Sequence, residues 1–214
     1  MGQAMRMIKY NRAGNLANAV PALEFQGTPL EWHRLDDGVM GGRSETVHQS
    51  AGRGLHFCGT LNTEGGGFVS LRAPLQSESM PKEMEAIRLK FRGDGKTYKF
   101  IMSNGSLSGG PFGKNPSWQA DIPTEARSET DGMQETTIPL KSLKPSFGGR
   151  VSSHSNVQFD QTEMRQIGFM LSLNLSDGTP NPKETFGDGI FSFSLLIESI
   201  EPVLSSIAPE NKEL

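Results

Sequence analysis

Cysteine is almost absent from this chain. Cys58 stands alone among 214 residues, so no internal disulfide can form and cysteine usage gives no argument for an oxidising compartment. Histidine is sparse as well. His33, His48, His56 and His154 show neither HxH nor HExxH spacing, which leaves no zinc framework. No apolar run approaches the roughly 18 residues that cross a bilayer. The first residues lack the apolar stretch of a secretory signal, so secretion is not expected. The sequons at Asn104 and Asn174 then carry no meaning. An excess of one charge is also missing. With 21 Lys and Arg against 24 Asp and Glu the net charge is −3, which gives no general attraction to nucleic acid or anionic membrane. Finally, no segment keeps a 3.6-residue apolar period for about twelve residues, which argues against a helical architecture.

What is present is glycine, 25 of it, placed between short alternating runs. In Ala86–Arg92, Ile87, Leu89 and Phe91 point one way and Arg88, Lys90 and Arg92 the other. Thr97–Ser103 repeats this with Tyr98, Phe100 and Met102. Further strands are expected at Gly54–Gly59, Phe68–Ala73, Ser117–Ile122, Glu135–Leu140, Ile167–Leu175 and Ile190–Ile197, with a turn near Gln161–Arg165. Ile87, Leu89, Phe91, Phe169, Leu171, Phe191, Phe193 and Leu195 form the expected core. Long loops are expected at Gly105–Asn115 and Gly178–Gly189. Many short strands separated by turn residues predict an all-β fold, a two-sheet β-sandwich. At this length the chain buries roughly 70% of its unfolded surface. The expected organisation is an arm over 1–26, a domain over 27–203 and a tail over 204–214. Within it, residues 1–23 hold Arg6, Lys9 and Arg12 and no acid. It reads either as an organelle-targeting segment or as a partly helical extension.

The stretch Trp32–Ser44, WHRLDDGVMGGRS, is the most distinctive. Gly38, Gly41 and Gly42 predict a folded-back loop, and Asp36 and Asp37 can accept from amides that such a loop leaves unpaired. Asp37 is expected to accept from amides two or three residues along, as in an Asx-turn, so that Asp37→Asn is mild. Met40–Arg43 is expected to shape a partner-recognition surface, with Met40 tucked beneath the loop and Arg43 free to reach a partner or to pair with a nearby acid. A second glycine cluster, Gly65, Gly66 and Gly67, follows one strand later. Adjacent carboxylates on a turn point apart, which is poor geometry for shared acid–base work. A calcium ion near Asp36, Asp37 or Asp188 is a second reading.

Other chemistry is thin. Gly93-Asp94-Gly95-Lys96-Thr97 lacks the glycine a phosphate loop needs at position 90, which is lysine. It also enters a strand, so it reads as a hairpin turn. There is no GxSxG elbow and no GxGxxG fingerprint. Arg88, Lys90 and Arg92, continued by Lys96 and Lys99, form a basic stripe. It reads either as a solvated strand face or as a docking patch for an acidic partner. Trp32 and Trp118 read as core or rim aromatics, or as platforms for a sugar ring.

One resemblance ties these stretches together. Asp36-Asp37-Gly38-Val39-Met40-Gly41-Gly42-Arg43-Ser44 resembles the signature of the complex I intermediate-associated protein 30 family. Phe57-Cys58-Gly59 with Gly65-Gly66-Gly67-Phe68-Val69-Ser70 is similar to its next block. So are Arg92–Tyr98, Phe147-Gly148-Gly149-Arg150, Gln166–Leu171 and Phe191–Ile200, in order from about Gly27 to Val203. The resemblance implies a jelly roll of the galactose-binding-like type, akin to some carbohydrate-binding modules. It implies a non-catalytic assembly factor, a chaperone that holds intermediates of the membrane arm of respiratory complex I, with no cofactor. It implies the mitochondrial matrix, with cytoplasm or plastid where the client differs. The alternatives are a sugar-binding module, and an enzyme whose site only the structure reveals.

Overall fold

The computed structural model describes residues 23–51, 54–76, 80–104, 116–147, 150–151 and 157–205. Most of the expected arm, the Gly105–Asn115 loop, Gly148, Gly149, His154 and the chain beyond residue 205 lie outside them.

The strands are β1 (Glu24–Phe25), β2 (Thr28–Pro29), β3 (His33–Arg34), β4 (Glu45–Ala51), β5 (Gly54–Asn62), β6 (Phe68–Pro74) and β7 (Met84–Arg92). They continue as β8 (Thr97–Ser103), β9 (Ser117–Pro123), β10 (Gln134–Pro139), β11 (Lys144–Phe147), β12 (Arg150–Val151), β13 (Gln166–Ser172) and β14 (Ile190–Leu204). One short helix, α1 (Lys183–Phe186), interrupts the expected loop at 178–189. A five-stranded antiparallel sheet runs β10-β7-β14-β5-β4. A seven-stranded antiparallel sheet runs β12-β11-β9-β8-β13-β6-β3, and β1 and β2 pair separately. This is the β-sandwich read from the alternation.

The period-2 pattern decides which face turns inward. Phe57, Ile87, Leu89, Phe91, Phe193 and Leu195 of the smaller sheet meet Val69, Leu71, Tyr98, Phe100, Ile167, Phe169 and Leu171 of the larger in one buried cluster. Each such side chain contributes roughly 1.5–3 kcal/mol on burial. Phe57 bridges the layers, edge-on to Phe193 at 4.9 Å and to Tyr98 at 6.2 Å.

Several expectations are corrected in detail. Leu23 and Phe25 are buried in the core cluster, so the folded unit begins before residue 27. Phe191 lies at the rim, edge-on to Phe186 at 5.1 Å. β13 stops at Ser172, and Leu173 is exposed. The Leu173 amide still donates to the Gly67 carbonyl at 3.0 Å, one step beyond the last β13–β6 pair, and a turn then closes at Leu175 and Thr179. β14 runs on to Leu204 through a register shift between Ile197 and Ser199. That bulge adds one residue, which is why Ile197 and Ile200 both reach the core despite odd spacing.

Candidate functional site

The Asp36–Asp37 pair sits where the chain passes from β3 in the larger sheet to β4 in the smaller. The two carboxylates turn to different partners. Asp36 accepts from the Thr46 amide at 2.9 Å, from the Thr46 hydroxyl at 2.5 Å and from the Ser70 amide at 3.4 Å. Asp37 accepts from the Ser44 amide at 3.0 Å, the Ser44 hydroxyl at 2.6 Å and the Gly67 amide at 2.7 Å. Thr46 lies on β4 and Ser70 on β6. Ser44 precedes β4 and Gly67 precedes β6. The pair therefore fastens the edge of one sheet to the other. This corrects the Asx-turn expectation, because the donors to Asp37 lie 7 and 30 residues along the chain and not two or three.

Asp37 is 1% exposed. Burial pushes its carboxyl up. The Ser44 hydroxyl and the Gly67, Ser44 and Phe68 amides outweigh that and hold it below the usual carboxylate range. Hydrogen bonds to a charged group are worth about 1.5–3 kcal/mol each. The Ser44 hydroxyl also accepts the Asn62 amide at 3.0 Å, which carries the fastening to β5.

The glycines divide by role. Gly41, with φ 89°, caps a 3-10 turn over Asp37–Met40, and its amide donates to the Gly38 carbonyl at 3.2 Å. Gly65 and Gly67 also take positive φ. Gly42 and Gly66 do not; a Cβ at either would overlap the Asp37 carboxylate. Their glycine identity is thus a matter of space around Asp37. Gly38 has neither positive φ nor a neighbour that a Cβ would meet, and nothing in the structure explains it. Arg43 is exposed, and among the described residues it makes no ion pair. The Met40 side chain lies outside the described residues.

The basic stripe is broken up by its neighbours. Arg88 lies 3.4 Å from Glu135 on β10 and 3.9 Å from Glu201 on β14. Lys90 lies 2.7 Å from Glu198, whose hydrogen bond and charge raise the ammonium above its ordinary value. Arg92 donates to the Glu129 carbonyl at 3.2 Å. Lys96 pairs with Asp94 at 3.3 Å and lies over the Phe191 ring at 5.5 Å. Lys99 does not belong to the stripe. It sits on the outer face of the other sheet and is 4% exposed. A continuous bare cationic face is therefore absent from this arrangement.

Asp94 makes a second fastening between the layers. It accepts the Tyr98 hydroxyl at 3.0 Å and the Ser194 amide at 3.0 Å. Gly95 takes φ 91°, but the expected hairpin is corrected: β7 and β8 lie in different sheets, so the turn links the two layers. Beside it a hollow of about 650 Å³ is lined by His56, Arg92, Asp94, Arg127 and Ser194. His56 Nε2 lies 2.8 Å from the Ser194 hydroxyl. Burial, then the charge of Arg92, pushes the imidazole below its ordinary value. Asp94 faces the Ser194 amide and not His56, so these groups do not form a nucleophile, base and orienting acid in series. Among the described residues no three His, Cys, Asp or Glu side chains gather as metal ligands. The Asp188 carboxylate accepts its neighbouring Gly189 amide at 3.0 Å.

Neither tryptophan offers a free platform. Trp118 is buried in the core cluster, and Trp32 packs against it with its ring 5.8 Å from Phe169. Sequence reasoning missed Ser44, Thr46 and Ser70 as partners of the acidic pair. The signal at hand was the alternation of hydroxyls at 44 and 46 after an acidic pair. It also missed Arg72, a cation within the apolar run Val69, Leu71, Ala73, which is 7% exposed.

Among solved structures, the chain is similar to the family 11 carbohydrate-binding module of the cellulosomal cellulase Lic26A-Cel5E of Clostridium thermocellum. Identity is 14% and the TM-score 0.54, over 89% of this chain and 100% of that one. The Clostridium thermocellum family 11 module in complex with a β-1,3-1,4-mixed-linked tetrasaccharide gives 15% and 0.50, over 85% and 98%. These likenesses concern the fold. No curated protein matches in sequence. The model of the complex I intermediate-associated protein 30 family matches residues 23–195. That match spans the acidic pair and its partners, both glycine clusters and most strands of the sandwich, and the chain belongs to the complex I intermediate-associated protein 30 family.

Proposed function

We propose that this chain is a non-catalytic, protein-binding assembly factor that holds intermediates of respiratory complex I. The observation that carries this reading is the family match across residues 23–195. The role given to the acidic pair supports it, because the most distinctive motif serves as a fastening between sheets and leaves Arg43 outward. On this reading the protein works in the mitochondrial matrix. Its partners are proteins of a membrane-associated complex, and it binds them without a cofactor. Among the described residues no helix is long and apolar enough to cross a membrane.

The test is genetic and biochemical together. The tagged protein is expected to migrate with incomplete complex I species on native gels and to be missing from the finished enzyme. Deletion is expected to stall assembly with such species accumulating. Normal complex I levels after deletion, with no co-migration, would overturn the reading. A parallel affinity gel containing a β-1,3-1,4-glucan addresses the sugar-binding alternative, and retardation there would favour it.

A further inference from the structure

We propose that Arg72 and Lys99 form an anion-binding site on the outer face of the seven-stranded sheet, for one oxyanion group, a phosphate or a carboxylate, of a small ligand. This goes beyond the assembly-factor reading and does not depend on it.

Arg72 on β6 and Lys99 on β8 are 7% and 4% exposed. Cations so buried are ordinarily paired, since an uncompensated buried charge costs several kcal/mol. Among the described residues neither side chain has a carboxylate oxygen within 4.0 Å. The nearest acids are engaged elsewhere. Asp121, which faces Lys99 across the β8–β9 pairing, accepts the Ser176 amide at 2.8 Å and the Ser176 hydroxyl at 2.7 Å. Asp177 accepts the Thr179 amide at 2.9 Å and the Thr179 hydroxyl at 2.6 Å.

The sheet brings the two cations toward each other. β13 lies between β6 and β8, and opposite Arg72 it carries Gly168. A Cβ on Gly168 would overlap the Arg72 side chain at Cδ. The guanidinium stem therefore lies over that glycine, in the direction of β8. Lys99 is two residues from Ile101, the β8 partner of Gly168, and so shares its face. The charge of Arg72 is felt at Lys99. Burial first, opposed by the pull of Asp121 and helped in smaller part by the charge of Arg72, leaves the Lys99 ammonium lowered to about 8, and burial lowers Arg72 to about 10. Two like charges held together out of water, each short of a partner, are the electrostatic complement of an oxyanion. A guanidinium fork beside an ammonium matches phosphate or carboxylate oxygens.

The experiment titrates the whole chain with inorganic phosphate and, separately, with succinate, at ionic strength held constant with chloride. Calorimetry and the thermal midpoint report binding. Saturable binding of at least one probe is expected, weakened at least about tenfold in Lys99→Met and unchanged in Lys90→Met, which alters an exposed lysine on the other sheet. Phosphate binding without succinate binding assigns a phosphate-bearing ligand, and the reverse assigns a carboxylate. Amide resonances of the wild-type protein give a readout that needs no variant. Probe-dependent shifts should gather at Gly168, Ile101 and Met170. No saturable binding of either probe, equal binding by Lys99→Met, or shifts scattered over the Lys90 face would overturn the site.

Discussion

The Asp37 carboxylate accepts the Gly67 amide at 2.7 Å from a residue 30 positions further along the chain. Its other donors come from Ser44, next to β4. One buried acid thus holds the start of β4 and the start of β6 at a fixed separation, and its chemistry can be tested directly. All three donors need an acceptor. An asparagine in place of Asp37 would offer one oxygen and turn an NH2 toward a donor, leaving a buried group unpaired at about 1–3 kcal/mol. Asp37→Asn is therefore expected to be distinctly destabilising in urea unfolding, contrary to the mild effect of a local turn, and Asp37→Ala more so. The folded-state carboxyl is held below its unfolded value. Its contribution is then complete above the unfolded value near 3.8 and is lost as pH falls through the folded one. Asp37→Asn should remove that part of the acid lability.

Gly66 and Gly42 test the same arrangement from the other side. A methyl group at either meets the Asp37 carboxylate, and overpacking a fixed group typically costs about 1–3 kcal/mol. Gly38→Ala meets nothing and should stay within about 0.5 kcal/mol. Equal stabilities for Gly66→Ala and Gly38→Ala in one denaturant series would contradict the space-filling account.

Much of this fold was legible because side-chain alternation at period 2 is local. Ile87, Leu89 and Phe91 announce their face within seven residues, and all three are buried. The partners of Asp36 and Asp37 were not legible, because Ser70 and Gly67 become neighbours only once β3 pairs with β6, from 30 or more residues along the chain. The stripe failed for a related reason. Arg88 and Lys90 do share a face, but Glu135, Glu198 and Glu201 arrive from strands far along the chain. Lys99 obeys the same alternation as Lys90, yet its outer face is covered and that of Lys90 is open. No pattern within one strand distinguishes a covered outer face from an open one.

Charge reversal on β7 should now be felt. Lys90→Glu places a carboxylate beside Glu198, and Arg88→Glu places one beside Glu135 and Glu201. The triple reversal with Arg92→Glu is expected to lower the melting temperature at low salt and to recover part of it at high salt, as exposed charges are screened. A melting temperature independent of both the reversal and the salt would mean that these pairs do not form in solution.

Arg43 separates binding from stability. It is exposed and outside every ion pair among the described residues, so Arg43→Ala should change unfolding free energy by under about 0.5 kcal/mol. On the assembly-factor reading it should reduce recovery of complex I intermediates with the tagged protein. Recovery equal to wild type would remove Arg43 from the recognition surface and leave the motif purely architectural.

Lys99 makes the sharpest prediction, because a binding residue and a stabilising residue should respond to substitution with opposite signs. Its ammonium is lowered in the folded chain to about 8 from 10.5. Burial is the main cause, the charge of Arg72 adds to it, and Asp121 and Asp177 oppose it. A group whose folded value lies below its unfolded value binds more protons when the chain unfolds, between those two values. Stability must therefore rise as pH climbs from about 8 toward 10.5. Below that window the folded chain carries the full cost of a buried charge. Lys99→Met keeps the length of the side chain and removes the charge. It should raise the thermal midpoint at neutral pH, flatten the rise above pH 8, and weaken phosphate or succinate binding in the same preparation. A structural lysine paired in solution would behave in the reverse way, with Lys99→Met melting lower at neutral pH and showing no altered response to either anion. The two profiles differ in sign, so one pH series on wild type and variant distinguishes a site kept at the expense of stability from a side chain that supports the fold.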